Sequence, residues 1–151
     1  MEISVSDVDE DDLMSCAGLY VTTFREQPWN EEWNIDDAFD RLNDFLATPK
    51  SICIKAISKN KIRGFLFGDV QQWNGSIYYY LKEACVGIKD QRKGIGRALI
   101  AELESVLIKR GVSKIYLITQ RDSIPSLFYS GLGFSENKNM MVLSKDVDSN
   151  G

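Results

Sequence analysis

A glycine-rich segment with basic neighbours is the part of the sequence whose residue types point most directly to chemistry. It consists of Gln91, Arg92, Lys93, Gly94, Ile95, Gly96 and Arg97. A strand-like run precedes it, and a long amphipathic segment follows it at once. The first turn of a helix carries unpaired N–H groups and the positive end of the helix dipole, and glycine lets a ligand approach the main chain closely. The segment therefore predicts a site for a phosphate or pyrophosphate.

Three anion-binding motifs share this chemistry and differ in their spacing. A Walker loop requires a Gly-Lys pair followed by Ser or Thr, which the segment lacks. A Rossmann fingerprint requires a third glycine where Leu99 stands, and it follows the first strand of a chain. The order Gln/Arg-x-x-Gly-x-Gly/Ala, which binds the pyrophosphate of coenzyme A, fits from Gln91 to Gly96. The alternative at this point is an ordinary helix start that tolerates glycine.

Proton transfer in this protein must work without histidine, because the sequence contains none. Carboxylates, tyrosines and water remain as acids and bases. Glu83, in the strand-like run before the loop, is the best candidate for a general base, since a carboxylate in a partly apolar cleft has a raised pKa. A salt-bridged strand residue is the alternative interpretation. The three cysteines are scattered, so we expect no metal site.

The pattern of the first half of the chain predicts a strand, two helices and a hairpin. Ile3 and Val5 alternate with polar residues and predict a short strand. A helix should begin near residues 9–12 and end before Pro28, and a second should run from about 34 to 47. The pattern of residues 51–58 and 62–73 predicts an antiparallel hairpin with a turn at Lys59-Asn60-Lys61.

The second half of the chain positions the glycine-rich segment between a strand and a helix. Asn74-Gly75 is a turn signal, and residues 76–88 read as a long strand. Residues 93–111 predict an amphipathic helix, and residues 113–119 a buried strand. Ser123 and Pro125 favour a helix start, with an end near 130–131, and the tail should contain a strand around residues 140–144.

The motifs over residues 50–145 resemble, in their order, those of the GNAT superfamily of N-acetyltransferases. Glu83-Ala84-Cys85-Val86, the glycine loop, the long helix, KIYLIT and LFYSGLGF follow one another as they do in that family. The resemblance implies an α/β fold with a mixed, mostly antiparallel sheet, a splayed central strand pair and about four flanking helices. It also implies a single domain over 1–151, with acceptor-side helices in 1–50 and the acetyl-CoA-binding core in 51–147.

The resemblance also assigns roles to individual positions. Main-chain groups of Ala84, Cys85 and Val86 would bind pantetheine, and the residues from Gln91 to Arg97 would bind the pyrophosphate. Asp122 stands where the family typically has an asparagine that contacts the cofactor, and Pro125 replaces a small residue. Tyr129 matches the family tyrosine that protonates the departing thiolate.

Catalysis is then expected to use Glu83 as the base and Tyr129 as the acid, with a main-chain N–H near Cys85–Val86 stabilising the oxyanion. Cys85 is a poor nucleophile, because neither a helix start nor a histidine would lower its pKa. We therefore expect direct transfer of the acetyl group.

The acceptor side of the molecule is expected in the N-terminal third, where GNAT proteins differ most. PWNEEW at 28–33 resembles a segment of bacterial members of the family. Trp29 or Trp33 would line a slot in which Glu26, Glu31 or Glu32 holds a cationic amine. The alternative is that both tryptophans plug the contact between two helices.

The expected function is transfer of the acetyl group of acetyl-CoA to a primary amine of a small cationic molecule. Acetylation of a protein or peptide amine and a non-catalytic CoA-binding sensor are the alternatives. The net charge of −4 argues against a nucleic-acid partner, and no apolar run approaches the ~20 residues that span a membrane. The acidic start lacks a signal core, so we expect a cytoplasmic protein. Family precedent leaves a homodimer open.

Overall fold

A five-stranded sheet forms the centre of the fold, and its strands lie side by side in sequence order. The computed structural model describes residues 2–148. The strands are β1 (Ser4–Asp7), β2 (Ser51–Ser58), β3 (Lys61–Trp73), β4 (Ser76–Val86) and β5 (Lys114–Tyr116). The first four pair antiparallel, whereas β4 and β5 are parallel. The prediction of a mixed, mostly antiparallel sheet is confirmed.

Residues 2–148 form four α-helices, as predicted. They are α1 (Leu13–Arg25), α2 (Ile35–Ala47), α3 (Ile95–Lys109) and α4 (Ile124–Gly131). Asn34 caps α2 by accepting hydrogen bonds from the N–H groups of Asp36 and Asp37. Ser123 caps α4 in a reciprocal pair with Ser126, and Pro125 lies in the first turn. Side-chain chemistry at the caps therefore sets where these helices begin.

The helices α1, α2 and α3 cover the two faces of the sheet. Phe65 and Phe67 of β3 point into one core, which α1 and α2 close with fully buried residues such as Leu13 and Leu42. The residue between them in register, Leu66, points the other way, toward the face on which α3 packs. The core-facing residues of α3 are Ile95, Leu99, Ile100, Leu103 and Leu107. The amphipathic pattern of α3 is therefore confirmed.

The chain divides into two compact units. One runs up to Ile118 and contains the sheet with α1, α2 and α3, and the other begins at Thr119 and contains α4. The single domain over 1–151, with acceptor-side helices in 1–50 and the acetyl-CoA-binding core in 51–147, stays a prediction.

In the C-terminal third, one predicted strand is shorter and less buried than expected, and the prediction of a second strand is wrong. The strand predicted over 113–119 spans only Lys114–Tyr116, and its residues are half-buried or exposed because β5 pairs with β4 alone. Residues 140–144 form no strand. The side chains of Met140 to Leu143 are 69–82% exposed, so this apolar segment has neither a strand partner nor a packing surface in the described residues.

One extra residue in β4 interrupts its pairing with β3. Phe67 pairs with Glu83 and Gly68 pairs with Leu81, so Lys82 is a bulge with no residue opposite. Pairing between β4 and β5 ends at Tyr80, two residues earlier. A bulge bends a strand and increases its twist. As a result β4 continues to Val86 without β5 beside it, which is the splayed strand pair that the sequence predicts.

Gly68 allows this bulge to close. A Cβ atom there would lie 2.2 Å from the Tyr80 carbonyl oxygen and 2.5 Å from the ring of Tyr79. The ring of Tyr79 is fully buried, and its hydroxyl donates to the Ile52 carbonyl at 2.7 Å. Neither neighbour can move away easily, because one is main chain and the other is held in the core.

Gly68→Ala should therefore lower the free energy of unfolding by about 1–3 kcal/mol, the usual effect of overpacking. Gly18→Ala is the matched control, because a Cβ atom at Gly18 in α1 meets no atom within 4 Å. That change should raise stability by roughly 0.5–1 kcal/mol through helix propensity. Urea unfolding followed by circular dichroism measures both. A Gly68→Ala protein as stable as the wild type would contradict the packing described for the bulge.

Candidate active site

The open edge of β4 begins where β5 stops. The Gly87 N–H donates to the Arg63 carbonyl on β3 at 2.9 Å. Because main-chain groups alternate between the two edges of a strand, Cys85 also faces β3, whereas Ala84 and Val86 face the open edge. Gln91 Nε2 donates to the Val86 carbonyl at 3.0 Å. Of the three predicted pantetheine contacts, Ala84 and the Val86 N–H are presented to a ligand, and the Cys85 main chain is not.

The loop between β4 and α3 leaves the start of the helix uncapped by side chains. Gly94 occupies the N-cap position with φ +86°, and no side-chain cap bond is formed there. Arg92 also has a positive φ, of +64°. The side chains of Arg92, Lys93 and Arg97 are exposed. Left-handed residues next to a helix start without a side-chain cap are backbone features that suit an anion.

A buried acid anchors this basic loop. Asp90 is 8% exposed and lies 3.7 Å from Arg63 Nη1 and 3.9 Å from Lys93 Nζ. Its N–H donates to the Gly87 carbonyl at 2.9 Å. The loop is thereby tied to β3 through the Arg63 side chain. Sequence reasoning missed both residues, although an acid within a run of basic residues was a usable signal.

Glu83 lies on the opposite side of β4 from α3, under α1 and α2. Its Oε2 atom accepts hydrogen bonds from the Tyr20 hydroxyl at 3.1 Å and from Arg41 Nε at 3.0 Å. Its side chain is only 12% exposed. Burial raises the pKa of Glu83, Arg41 and Tyr20 lower it, and the balance leaves it above the ordinary glutamate value. Glu83 therefore forms an ion pair, as in the structural interpretation, and has a raised pKa, as in the interpretation as a general base.

Tyr20 and Arg41 are residues of this cluster whose contacts with Glu83 sequence reasoning missed. Tyr20 lies on the core-facing side of α1 and is 3% exposed. Arg41 projects from α2 over the rings of Phe45, 4.7 Å from its centroid, and Trp33, at 5.9 Å. A single arginine on an otherwise acidic helix was the available signal.

The PWNEEW segment forms an aromatic and acidic surface beside this cluster. The Trp33 ring meets Tyr20 edge-on at 4.9 Å, and its Nε1 atom donates to Glu31 at 2.9 Å. An open hollow of about 390 Å³ lies here, lined by Glu31, Glu32, Trp33, Asn34 and Asp37.

The two remaining acceptor candidates lie outside the lining of this hollow. Trp29 packs edge-on against Phe24 at 5.0 Å, and Glu26 is an exposed residue at the end of α1. Trp29 therefore packs in the way that the alternative interpretation describes. Trp33 packs against Tyr20 and also lines the hollow.

Cys85 is unsuited to covalent catalysis. It is 4% exposed, its Sγ atom points at the Leu19 carbonyl, and burial raises its pKa to about 12. Within residues 2–148, no group of three or more histidine, cysteine or acidic side chains could hold a metal ion. Over the same residues, no helix is long and apolar enough to cross a membrane.

The second compact unit carries the two C-terminal site candidates. Asp122 is exposed and has φ +54°, directly before the cap of α4. Tyr129 is half-buried and meets Phe134 edge-on at 5.3 Å. The roles of both residues stay predictions.

Comparison with known proteins agrees with this architecture. The family model described as the acetyltransferase (GNAT) family matches residues 16–134. A possible acetyltransferase from Clostridium difficile 630 superposes with a TM-score of 0.82 at 16% identity, covering 98% of this chain and 100% of the other. A search of curated protein sequences finds no match.

Two further structures of similar fold were solved with bound ligands. An aminoglycoside acetyltransferase from an uncultured soil metagenomic sample, solved in complex with sisomicin, has a TM-score of 0.75 at 18% identity, covering 97% of both chains. AAC(6')-Iy, in complex with the bisubstrate analogue CoA-S-monomethyl-acetylneamine, has a TM-score of 0.75 at 17% identity, covering 97% of this chain and 100% of the other. At these identities the likeness concerns the fold.

The splayed β4–β5 pair and the uncapped glycine loop agree with the family resemblance, and the family model matches well over half of the chain. The protein belongs to the GNAT acetyltransferase family and is an acetyl-CoA-dependent N-acetyltransferase.

Gly94→Asp should weaken acetyl-CoA binding strongly, because it places a carboxylate against the predicted pyrophosphate site. Gly111→Asp is the matched control. Gly111 follows the other end of α3, has a similar φ of +75°, and has equally open surroundings. Both changes strain the backbone similarly, so calorimetry should find lost affinity only in Gly94→Asp. Unchanged affinity in that variant would mean that the loop is not the cofactor site.

Proposed function

We propose that this enzyme transfers the acetyl group of acetyl-CoA directly to a primary amine of a small cationic molecule. The observation that carries the proposal is the acidic hollow beside Glu83. Three of its five lining residues, Glu31, Glu32 and Asp37, bear carboxylates, and Trp33 supplies an aromatic wall. Carboxylates beside an indole ring favour an organic cation over a neutral or anionic acceptor.

A continuous set of contacts joins this hollow to the proposed base. Trp33 lines the hollow and touches Tyr20, and the Tyr20 hydroxyl is bonded to Glu83. An acceptor with more than one cationic group could therefore hold one group in the hollow while another approaches Glu83. The sisomicin complex of a similar fold supports an acceptor of this class.

The residues of β4 and its loop would hold the donor. Acetyl-CoA supplies the activated thioester when bound. Exposed Arg92, Lys93 and Arg97 and the free N–H groups of α3 would bind the pyrophosphate, while Ala84 and the Val86 N–H would align the donor along the open edge of β4. In the transition state the Val86 N–H would donate to the acetyl oxygen as negative charge develops there.

Glu83 would remove the proton that an amine carries at neutral pH, acting through water, and Tyr129 would give a proton to the departing sulfur. The pKa of Glu83 is raised, which makes its carboxylate a better proton acceptor than an exposed glutamate. Burial of Cys85 and its raised pKa support transfer without an acyl-cysteine.

An acetylation assay with a panel of amines tests this function. The panel includes polyamines, aminoglycosides, neutral amines and basic peptides, and mass spectrometry identifies the acetylated product. Acetylation of the small polycations is expected. Acetylation of peptides alone, or thioester binding without turnover of any amine, would replace the proposal by one of the two alternatives weighed from the sequence.

Reversing the charges of Glu31 and Glu32 to lysine should raise the KM for a cationic acceptor by roughly tenfold or more, because the loss of two attractions of about 1 kcal/mol each already exceeds the ~1.4 kcal/mol that corresponds to tenfold. The KM for acetyl-CoA should stay nearly unchanged. Glu102→Lys with Glu104→Lys, on the exposed side of α3, gives the same change in net charge as a control. Equal effects on both substrates would mean that the segment is purely structural.

Tyr129→Phe removes one hydroxyl and should lower kcat by roughly 10²–10⁴-fold, with little change in acetyl-CoA affinity. A smaller loss is expected if the thiolate leaves easily without protonation. Tyr78→Phe on β4 is the control, because the Tyr78 ring packs against Trp73 and Lys114 and its hydroxyl is not used in the mechanism. Wild-type kcat for Tyr129→Phe across the pH range, with chemistry limiting, would exclude Tyr129 as the acid.

A further inference from the structure

We propose that Arg41 is a positioning residue, which holds the Glu83 carboxylate in the orientation and charge state that proton abstraction from the acceptor requires. This inference rests on the proposed role of Glu83 as the base. Side chains from two helices, α1 and α2, donate hydrogen bonds to Glu83 of the sheet.

Both side-chain donors to Glu83 bind the same oxygen atom. Tyr20 on α1 and Arg41 on α2 each reach Oε2, at 3.1 and 3.0 Å. This arrangement fixes the carboxylate plane from two directions and leaves Oε1 without a side-chain donor, while the Ala84 N–H is a main-chain donor to the carboxylate. A base needs one oxygen free for the incoming proton, and holding the other oxygen determines where the free one points.

Arg41 is itself held on rings rather than by a second acid. Its guanidinium lies over Phe45 and beside Trp33, and only its Nε atom is used in the ion pair with Glu83. The side chain is 41% exposed, so the pair lies at the rim of the cleft. Trp33 also lines the acidic hollow, and Arg41 therefore links the acceptor surface to the base.

No other cation contacts Glu83 within the part of the chain that the structure describes. Lys82 is its neighbour in β4, but that ammonium is paired with Asp69 and lies over the rings of Phe45 and Tyr80. The titratable or charged groups at Glu83 are Tyr20 from α1, Arg41 from α2, and its strand neighbours Cys85 and Lys82, of which Lys82 is paired with Asp69. Glu31 acts on the cluster through Tyr20, and Cys16 through Cys85.

Removal of Arg41 should make Glu83 harder to ionise. Burial already raises the pKa of Glu83, and Arg41 is the largest influence that lowers it. The base works only when ionised, so activity falls as the pH drops through this pKa. Without Arg41 the pKa rises, and the acidic limb of kcat/KM must move to higher pH.

The experiment compares pH profiles of kcat/KM in the wild type and five variants. Arg41→Gln should shift the acidic limb upward by roughly one unit or more, which gives about a tenfold loss on that limb and recovery at high pH. Arg41→Lys, which keeps the charge but not the Nε geometry, should shift it less. Arg110→Gln at the exposed end of α3 removes the same charge and should leave the limb in place. Glu83→Gln should abolish the limb, and adding Arg41→Gln to it should then move nothing.

A direct titration separates this inference from the proposed function. NMR of isotope-labelled glutamate carboxyl carbons, with the Glu83 signal assigned by its loss in Glu83→Gln, reports the ionisation of Glu83 without any substrate. A higher midpoint in Arg41→Gln supports the inference even if no amine of the panel is acetylated. An unchanged midpoint, or an unchanged acidic limb in an enzyme whose limb requires Glu83, would overturn it while leaving the function intact. A Glu83→Gln enzyme with a wild-type profile would overturn the role of Glu83 and that of Arg41 together.

Discussion

The bulge at Lys82 is the constraint on which the rest of the site depends. One additional residue in β4 turns the strand away from β5, and the main-chain groups of Ala84 and Val86 are left facing outward. A regular strand would have paired those groups with β5, and no edge would remain for a ligand. The bulge in turn requires Gly68, because a side chain there would collide with the Tyr80 carbonyl and the Tyr79 ring. Core packing therefore determines where the sheet can open.

The bulge also determines which side chains meet above the sheet. Side chains alternate between faces along a strand, and an extra residue changes that alternation beyond it. Glu83 comes directly after the bulge and points toward α1 and α2, where Tyr20 and Arg41 bind it. Burial of a carboxylate is unfavourable unless donors compensate it. The two donors supply that compensation only in part, so Glu83 stays easier to protonate than an exposed glutamate.

Sequence patterns predicted the elements well where the local signal was strong. Asn34, Ser123 and Pro125 mark helix starts that the structure confirms, and Asn74-Gly75 is a two-residue turn between paired strands. The first hairpin also turns over two residues, Lys59 and Asn60, both with positive φ, rather than over three as predicted. That difference comes from strand twist, which favours such turns and is hard to read from polar residues alone.

The remaining features depend on contacts between distant parts of the chain. Nothing local identifies Lys82 as a bulge, or tells that Arg41 would reach Glu83, which is 42 residues further along the chain. In the C-terminal tail a clear local signal led to a wrong prediction. Met140, Met141 and Val142 have the composition of a strand, yet they are exposed in the structure, because a strand requires a partner. The acidic hollow likewise combines residues whose convergence depends on the cap of α2.

The two helical layers separate the proposed tasks of the enzyme. The helices α1 and α2 with their connecting segment carry the proposed acceptor surface on one face of the sheet, whereas α3 and its loop lie on the other. Substitutions at sites far apart act almost independently. If the proposed sites are correct, changes in residues 26–37 alter the choice of acceptor without disturbing the loop proposed to bind the pyrophosphate. A protein with this fold can evolve to accept a new amine through substitutions in the α1–α2 layer, while selection for binding of the common donor preserves α3 and its loop.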